Sequence, residues 1–273
     1  MEASVFEWLN LFIRWTHVFA GILWIGQTYL FTWLDKRLEE ATRADPNGKV
    51  WMVHSGGFYL VGKQKVPELL PQKLHWFKWE AAATWVSGML LLILVYHLGG
   101  LMVDESVSPL STGAAVAVGL LLLPVGWLFY DSLWRSPLSE HPKVAASASF
   151  LLLTGVAFGL TRLLSGRAAY MHVGALMGTV MAANVWFKIL PAQRQLVASI
   201  QQKATPDATL AAMAKSRSKH NTYLVVPLVF IMISNHFPSA TYGNEYNWAI
   251  LAVLVLVGWA AAKVLRGWPA AQQ

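Results

Sequence analysis

Eight histidines and no cysteine set the chemistry open to this 273-residue chain. Without thiols it can make no disulfide, thiolate zinc site, iron–sulfur cluster or covalently attached c-type haem. A metal or haem must be held by imidazole, thioether, carboxylate, amine or phenol groups. His17, His97, His172 and His236 fall within apolar segments, while His54, His75, His141 and His220 fall in or near polar connections. An ionisable ring in a membrane-length apolar segment is costly and as a rule faces the bundle interior. Four imidazoles from four segments at similar depth can converge on one site. Neutral imidazole there suits axial ligation of b-type haem, or a step in a proton relay.

Spacing around His17 sharpens this expectation. Arg14, His17, Gly21, Trp24 and Thr28 share one helix face at about 100° per residue. Arg14 offers a cation for a propionate or an anionic substrate, and Trp24 a flat partner. Gly21 leaves room for a macrocycle or a close helix. Plainer readings stand beside each. His97 and His236, near segment ends, equally suit an interfacial position, Arg14 can snorkel outward, and the tryptophans suit an interfacial belt. Asp131 and Arg135 are i, i+4 and are expected as a surface pair. Asn184 and Lys188, also i, i+4, can line a polar path, although Lys188 can reach the inner surface.

The elements that must position these groups are read from hydropathy. Hydrophobic residues make up 56% of the chain and charged residues 13%, against about 25% charged in soluble domains. Disorder is excluded, and an all-α polytopic transmembrane bundle is expected. Seven spans are predicted, at about 6–34, 79–102, 112–131, 144–164, 168–190, 221–237 and 246–266, with a kink at Pro227. Residues 1–273 form one transmembrane domain with cytoplasmic loops at about 35–78 and 191–219. All of the 21 basic residues except Arg14, Arg162 and Arg167 fall in alternate loops or at the C-terminal end. The positive-inside rule then places the N-terminus outside and the C-terminus inside. This segregation, with no basic stripe on a soluble fold, favours a membrane over nucleic acid as the partner of the +7 net charge. The first residues carry no basic signal-peptide region.

The first long loop holds a turn at Asp45-Pro46-Asn47-Gly48 and a short strand at 58–61. The second holds Thr205-Pro206-Asp207, read as N-cap, N1 proline and acidic first turn of a surface helix over 208–219. Glu80 suits the first helical turn of the second span. There is no phosphate-binding glycine loop, nucleophile elbow or zinc-protease motif.

Three stretches carry a resemblance. Arg14-Trp15-Thr16-His17-Val18-Phe19-Ala20-Gly21-Ile22-Leu23-Trp24-Ile25-Gly26 resembles the first transmembrane segment of the bacterial membrane-bound urate hydroxylase (urate oxidase N-terminal domain) family. So does Leu74-His75-Trp76-Phe77-Lys78-Trp79-Glu80-Ala81, and so does the run from Ser218-Lys219-His220-Asn221 through Pro227 to Asn235-His236-Phe237-Pro238. The resemblance implies an inner-membrane oxidoreductase converting urate to 5-hydroxyisourate, with electrons passed to the respiratory chain. Characterised members carry a C-terminal cytochrome c domain, and this chain is expected to lack it, having no Cys-x-x-Cys-His. A separate acceptor, a cytochrome c or a quinone, is then expected. The expected site is haem b held by His17, His97, His172 and His236, with Arg14 and Trp24 toward a small planar anion. A haem-binding electron carrier without a substrate site and a histidine-dependent transporter are the alternatives. A further one places the working site at His54, His75, His141 and His220.

Overall fold

The computed structural model describes residues 3–64, 67 and 73–267. Lys65, counted among the basic residues of the first loop, lies outside them. The chain forms helices α1 (Ala3–Ala44), α2 (Trp79–Leu91), α3 (Thr112–Leu133), α4 (Pro142–Leu163), α5 (Gly166–Ala183), α6 (Leu190–Gln201), α7 (Ala208–Ile233) and α8 (Asn247–Gly267). Strands β1 (Val50–His54) and β2 (Gly57–Val61) make one antiparallel hairpin. Its turn residues Ser55 and Gly56 have φ of 50° and 76°. Two successive positive φ values suit the right-handed strand twist, and glycine meets the second without strain. The expected strand at 58–61 is therefore the second half of a hairpin.

Six helices are long and apolar enough to cross a membrane: α1, α2 with its extension to His97, α3, α4, the continuous 166–201 rod, and α8. By length and composition this is a membrane protein, and its all-helical bundle is the expected fold class. The sixth predicted span lies within α7, which does not meet the same measure. Its first half carries Lys215, Arg217 and Lys219, and its second half opens on buried Asn221 and Thr222, so its apolar stretch is short. It still packs against α5 and α8. Below, "outer" denotes the end holding the α1 N-terminus and "inner" the other, following the loop charges.

The bundle is built around α5, whose residues from Ala168 to Met177 are all buried. Side chains facing away from the bundle are apolar: Trp8, Leu11, Phe12, Trp15, Phe19 and Ile22 of α1 are exposed. Such a surface is stable against lipid and not against water. At about 1.5 Å per residue α1 spans roughly 63 Å, twice a bilayer core, so its second half projects beyond the inner face.

Small residues set the helix spacings. A Cβ on Gly174 would meet Met232 Cε at 2.8 Å, drawing α5 onto α7. A Cβ on Gly258 would meet Pro227 Cβ and Cδ at 2.7 Å, so α8 docks where proline has already removed a backbone donor from α7. Gly258→Val is expected to destabilise the protein by about 1–3 kcal/mol through overpacking. A fall in the melting temperature of the detergent-solubilised protein checks this.

The N-terminus of α7 differs in register from expectation. Asp207, and not Thr205, is the N-cap, and its carboxylate accepts from Thr209 N and Oγ1, both at 2.7 Å. An aspartate reaches N2 directly, which leaves Thr205 and Pro206 outside the helix. The Thr209 hydroxyl, then its N–H, hold the Asp207 carboxyl below the usual range, so this cap weakens only as pH falls into the acid region.

Candidate functional site

Two places in the bundle depart from regular α-helix, and each carries candidate side chains. At the outer end of α2, a π turn spans Leu92–His97; within the central rod, a second spans Asn184–Ile189. Such turns are over-represented at functional sites because the extra residue redirects side chains.

The first π turn aims His97 at His172 of α5. Their Nε2 atoms are 3.4 Å apart, and the ring centroids are 5.7 Å apart with planes inclined by 27°. The centroids are thus 2.3 Å farther apart than the nitrogens, about the sum of both ring radii. The rings therefore meet end to end, nitrogen facing nitrogen. His172 is fully buried, and its Nδ1–H donates to Ala168 O at 2.8 Å. That bond fixes the tautomer and leaves the Nε2 lone pair directed at His97, as in histidines that bind metals. His97 is half-buried, so the pair runs from the core to the outer rim.

Gly119 of α3 makes the room. A Cβ there would stand 2.5 Å from His172 Nε2 and 2.7 Å from Cδ2. Beside the pair, Tyr96 meets the His172 ring edge to face. The Tyr96 hydroxyl donates to Asn235 Oδ1 at 3.3 Å, and Arg167 Nε donates to the same oxygen at 2.9 Å. Asn235 Nδ2 reaches Met171 Sδ at 3.0 Å.

The other expected site residues lie elsewhere. His17 packs on α2, its Nδ1 2.9 Å from Thr84 O and 3.2 Å from Ser87 Oγ, over a Gly88 whose Cβ would meet the ring at 2.9 Å. His236 is exposed, and its neighbour Asn235 turns inward instead. Arg14 is exposed and donates twice to Asn10 Oδ1. Trp24 packs on the small cluster of Ala81, Val185 and Leu190. Of the loop histidines, His220 alone among the described residues enters a buried network, with Nδ1 2.7 Å from the Tyr130 hydroxyl.

The second π turn holds a charged cluster at the inner end. Asp131 is buried and binds Lys188 Nζ and Arg217 Nη2, each at 2.7 Å. Arg135 stands farther off at 3.7 Å. The expected surface pair is thus the rim of a buried triad, and Lys188 points to Asp131 and not to the inner surface. The i, i+4 spacing carried the Asp131–Arg135 signal, but nothing in the chain order announces partners on the second π turn and α7. Gly119 was equally silent, since a helix glycine identifies no neighbour.

Among the described residues no group of three His, Asp or Glu side chains is arranged to hold a metal ion. What the outer site offers is two opposed imidazole nitrogens 3.4 Å apart.

A helical membrane bundle with an opposed imidazole pair and a buried charge cluster defines the class. The urate oxidase N-terminal family model matches residues 3–272, and the chain belongs to that family. No curated protein and no solved structure matches it.

Proposed function

We propose that the chain is a membrane oxidoreductase that holds haem b between His97 and His172 and oxidises urate or a closely similar planar anion. The end-to-end imidazole pair carries this reading. His97 and His172 are the residues that would hold such a group, and haem would supply one-electron chemistry there.

When bound, haem supplies a one-electron carrier at the outer end of the bundle. The chain's own residues set its behaviour. The Ala168 carbonyl makes His172 a stronger donor, and burial keeps water from one face. Arg167, held by Asn235, places a cation beside the pair, where it can meet a propionate. Half-exposed His97 leaves the edge open to a separate acceptor, a cytochrome c or a quinone. Conversion of urate to 5-hydroxyisourate takes the oxygen of one water and releases two electrons and two protons. The acceptor must take both electrons. Membership of the urate oxidase N-terminal family supports urate as the substrate class, and the bacterial inner membrane is the proposed location.

Protein purified after expression with haem supply is expected to show a Soret band, with reduced-haem absorbance appearing when urate is added. Absence of the band rejects the haem reading. A band that urate leaves oxidised rejects the oxidase in favour of an electron carrier.

A further inference from the structure

A two-stranded hairpin in water is stable only with one apolar face packed on the body and the other face polar. The β1–β2 hairpin lacks the polar face. Side chains directly opposite in an antiparallel ladder share a face. The register therefore places Trp51 with Leu60 and Val53 with Phe58 on one side, and Val50 with Val61 and Met52 with Tyr59 on the other. On the second side Val50, Met52 and Val61 are half-buried, and β1 touches α1. The first side is open: Trp51 is 69% exposed, Val53 68%, Phe58 79% and Leu60 46%. Two aromatic and two aliphatic side chains in one contiguous patch differ from apolar residues scattered singly over a surface.

The base of the hairpin is held at a definite depth. Trp33 is the last large exposed apolar side chain of α1. Asp35, two residues farther on, pairs with Lys63, just after β2. Gly48, just before β1, lies so close to α1 that a Cβ there would stand 2.4 Å from the Ala41 carbonyl oxygen. The base thus stands beside α1 between Asp35 and Ala41, about 3–12 Å past Trp33 at 1.5 Å per residue. The headgroup layer on one side of a bilayer is about 5–8 Å deep. Strands of five residues reach roughly 17 Å from that base. The start of α2 marks the same boundary. Phe77 and Trp79 are exposed there, the Phe77 ring meets Phe31 at 4.9 Å, and Lys78 Nζ lies 5.1 Å over Trp79. Tryptophan and lysine collect where a bilayer meets water.

We infer that the hairpin lays its Trp51, Val53, Phe58 and Leu60 face on the inner leaflet of the membrane. These side chains enter the boundary between acyl chains and headgroups, and exposed Lys49 beside β1 meets headgroup phosphates. Continuity favours lipid over a protein partner, because the patch begins where the lipid-facing surface of α1 stops. The helix already holds the patch within reach of the leaflet, so four side chains suffice without the entropy cost of recruiting a free partner. This contact is independent of the proposed oxidase.

The chain has no cysteine, so a single introduced thiol can be labelled cleanly. Phe58→Cys, Val53→Cys and Tyr59→Cys, each carrying a bimane fluorophore, are measured in the full-length protein. The host is a nanodisc of phosphatidylcholine and phosphatidylglycerol, which leaves both membrane faces open to solvent. Tyr59, exposed on the opposite face, is the control. A lipid nitroxide near the headgroup should quench the labels at 58 and 53 about twofold or more beyond the label at 59, and aqueous iodide should favour 59. Val53 and Phe58 are cross-strand partners, so each serves if the other variant fails to fold. Iodide quenching at 58 equal to that at 59 overturns the inference, since the face is then in water. So does a label at 58 shielded from both quenchers, which is the result expected of a second copy or another protein on that face.

Discussion

His172→Ala protein is expected to retain almost no haem, with the Soret band lost, while His236→Ala keeps it in full. The expectation follows from position. His172 is fully buried, its Nδ1–H is spent on Ala168 O, and its Nε2 faces His97 Nε2. Alanine removes the ligand and leaves an apolar void that water enters poorly, so nothing replaces the imidazole. His236 is exposed, and the inward contacts of its segment are made by Asn235. Gly119→Val should act like His172→Ala by a different route, because its Cβ would stand 2.5 Å from His172 Nε2. Agreement between a ligand deletion and a steric intrusion from another helix separates ligation from general loss of fold, which circular dichroism monitors. Full haem retention in both His172→Ala and His97→Ala would end the assignment.

Asp131→Ala is expected to destabilise the protein by about 3–5 kcal/mol, the largest single-residue effect on stability. The carboxylate joins Lys188 of the central rod and Arg217 of α7 to α3, with both bonds at 2.7 Å. Removing it leaves two cations with little access to water. Asp131→Asn keeps a hydrogen-bond acceptor but not the charge and should fall between the two. By contrast, removing Arg135, which is 71% exposed and 3.7 Å away, should change stability by less than about 1 kcal/mol. Chemical denaturation in mixed micelles reads all three. Equal effects for Arg135→Ala and Asp131→Ala would show that the cluster is solvated.

Legibility varied with the range of the interaction. The helices are plain in the sequence because about 20 apolar residues in a row have no other stable use; the predicted 112–131, 144–164 and 246–266 end close to α3, α4 and α8, whereas α1 and the central rod run on past 34 and 190 and α7 begins well before 221. Mean hydropathy is blind to neighbours, however, so the apolar half of α7 reads as a span, although that span opens on the buried Asn221 and its other half carries the buried Arg217. The hairpin was half legible: a strand was expected at 58–61, but its pairing with 50–54 depends on two left-handed residues in between. At α7 the competition between two capping residues was decided by which side chain reached the N2 amide.

The site divides the same way. Composition alone determined that iron could be held only without thiols, and the sorting of histidines into apolar segments determined which four were worth considering. Which imidazoles meet was decided by the bundle. The π turn that swings His97, the missing Cβ at Gly119 and the Ala168 carbonyl act across three helices, and no helical periodicity encodes them. The burial of Asp131 was decided there too. A charge pair four residues apart looks the same on the surface and in the core, and only the arrival of Lys188 of the central rod and Arg217 of α7 beside Asp131 removes the water that would otherwise screen it.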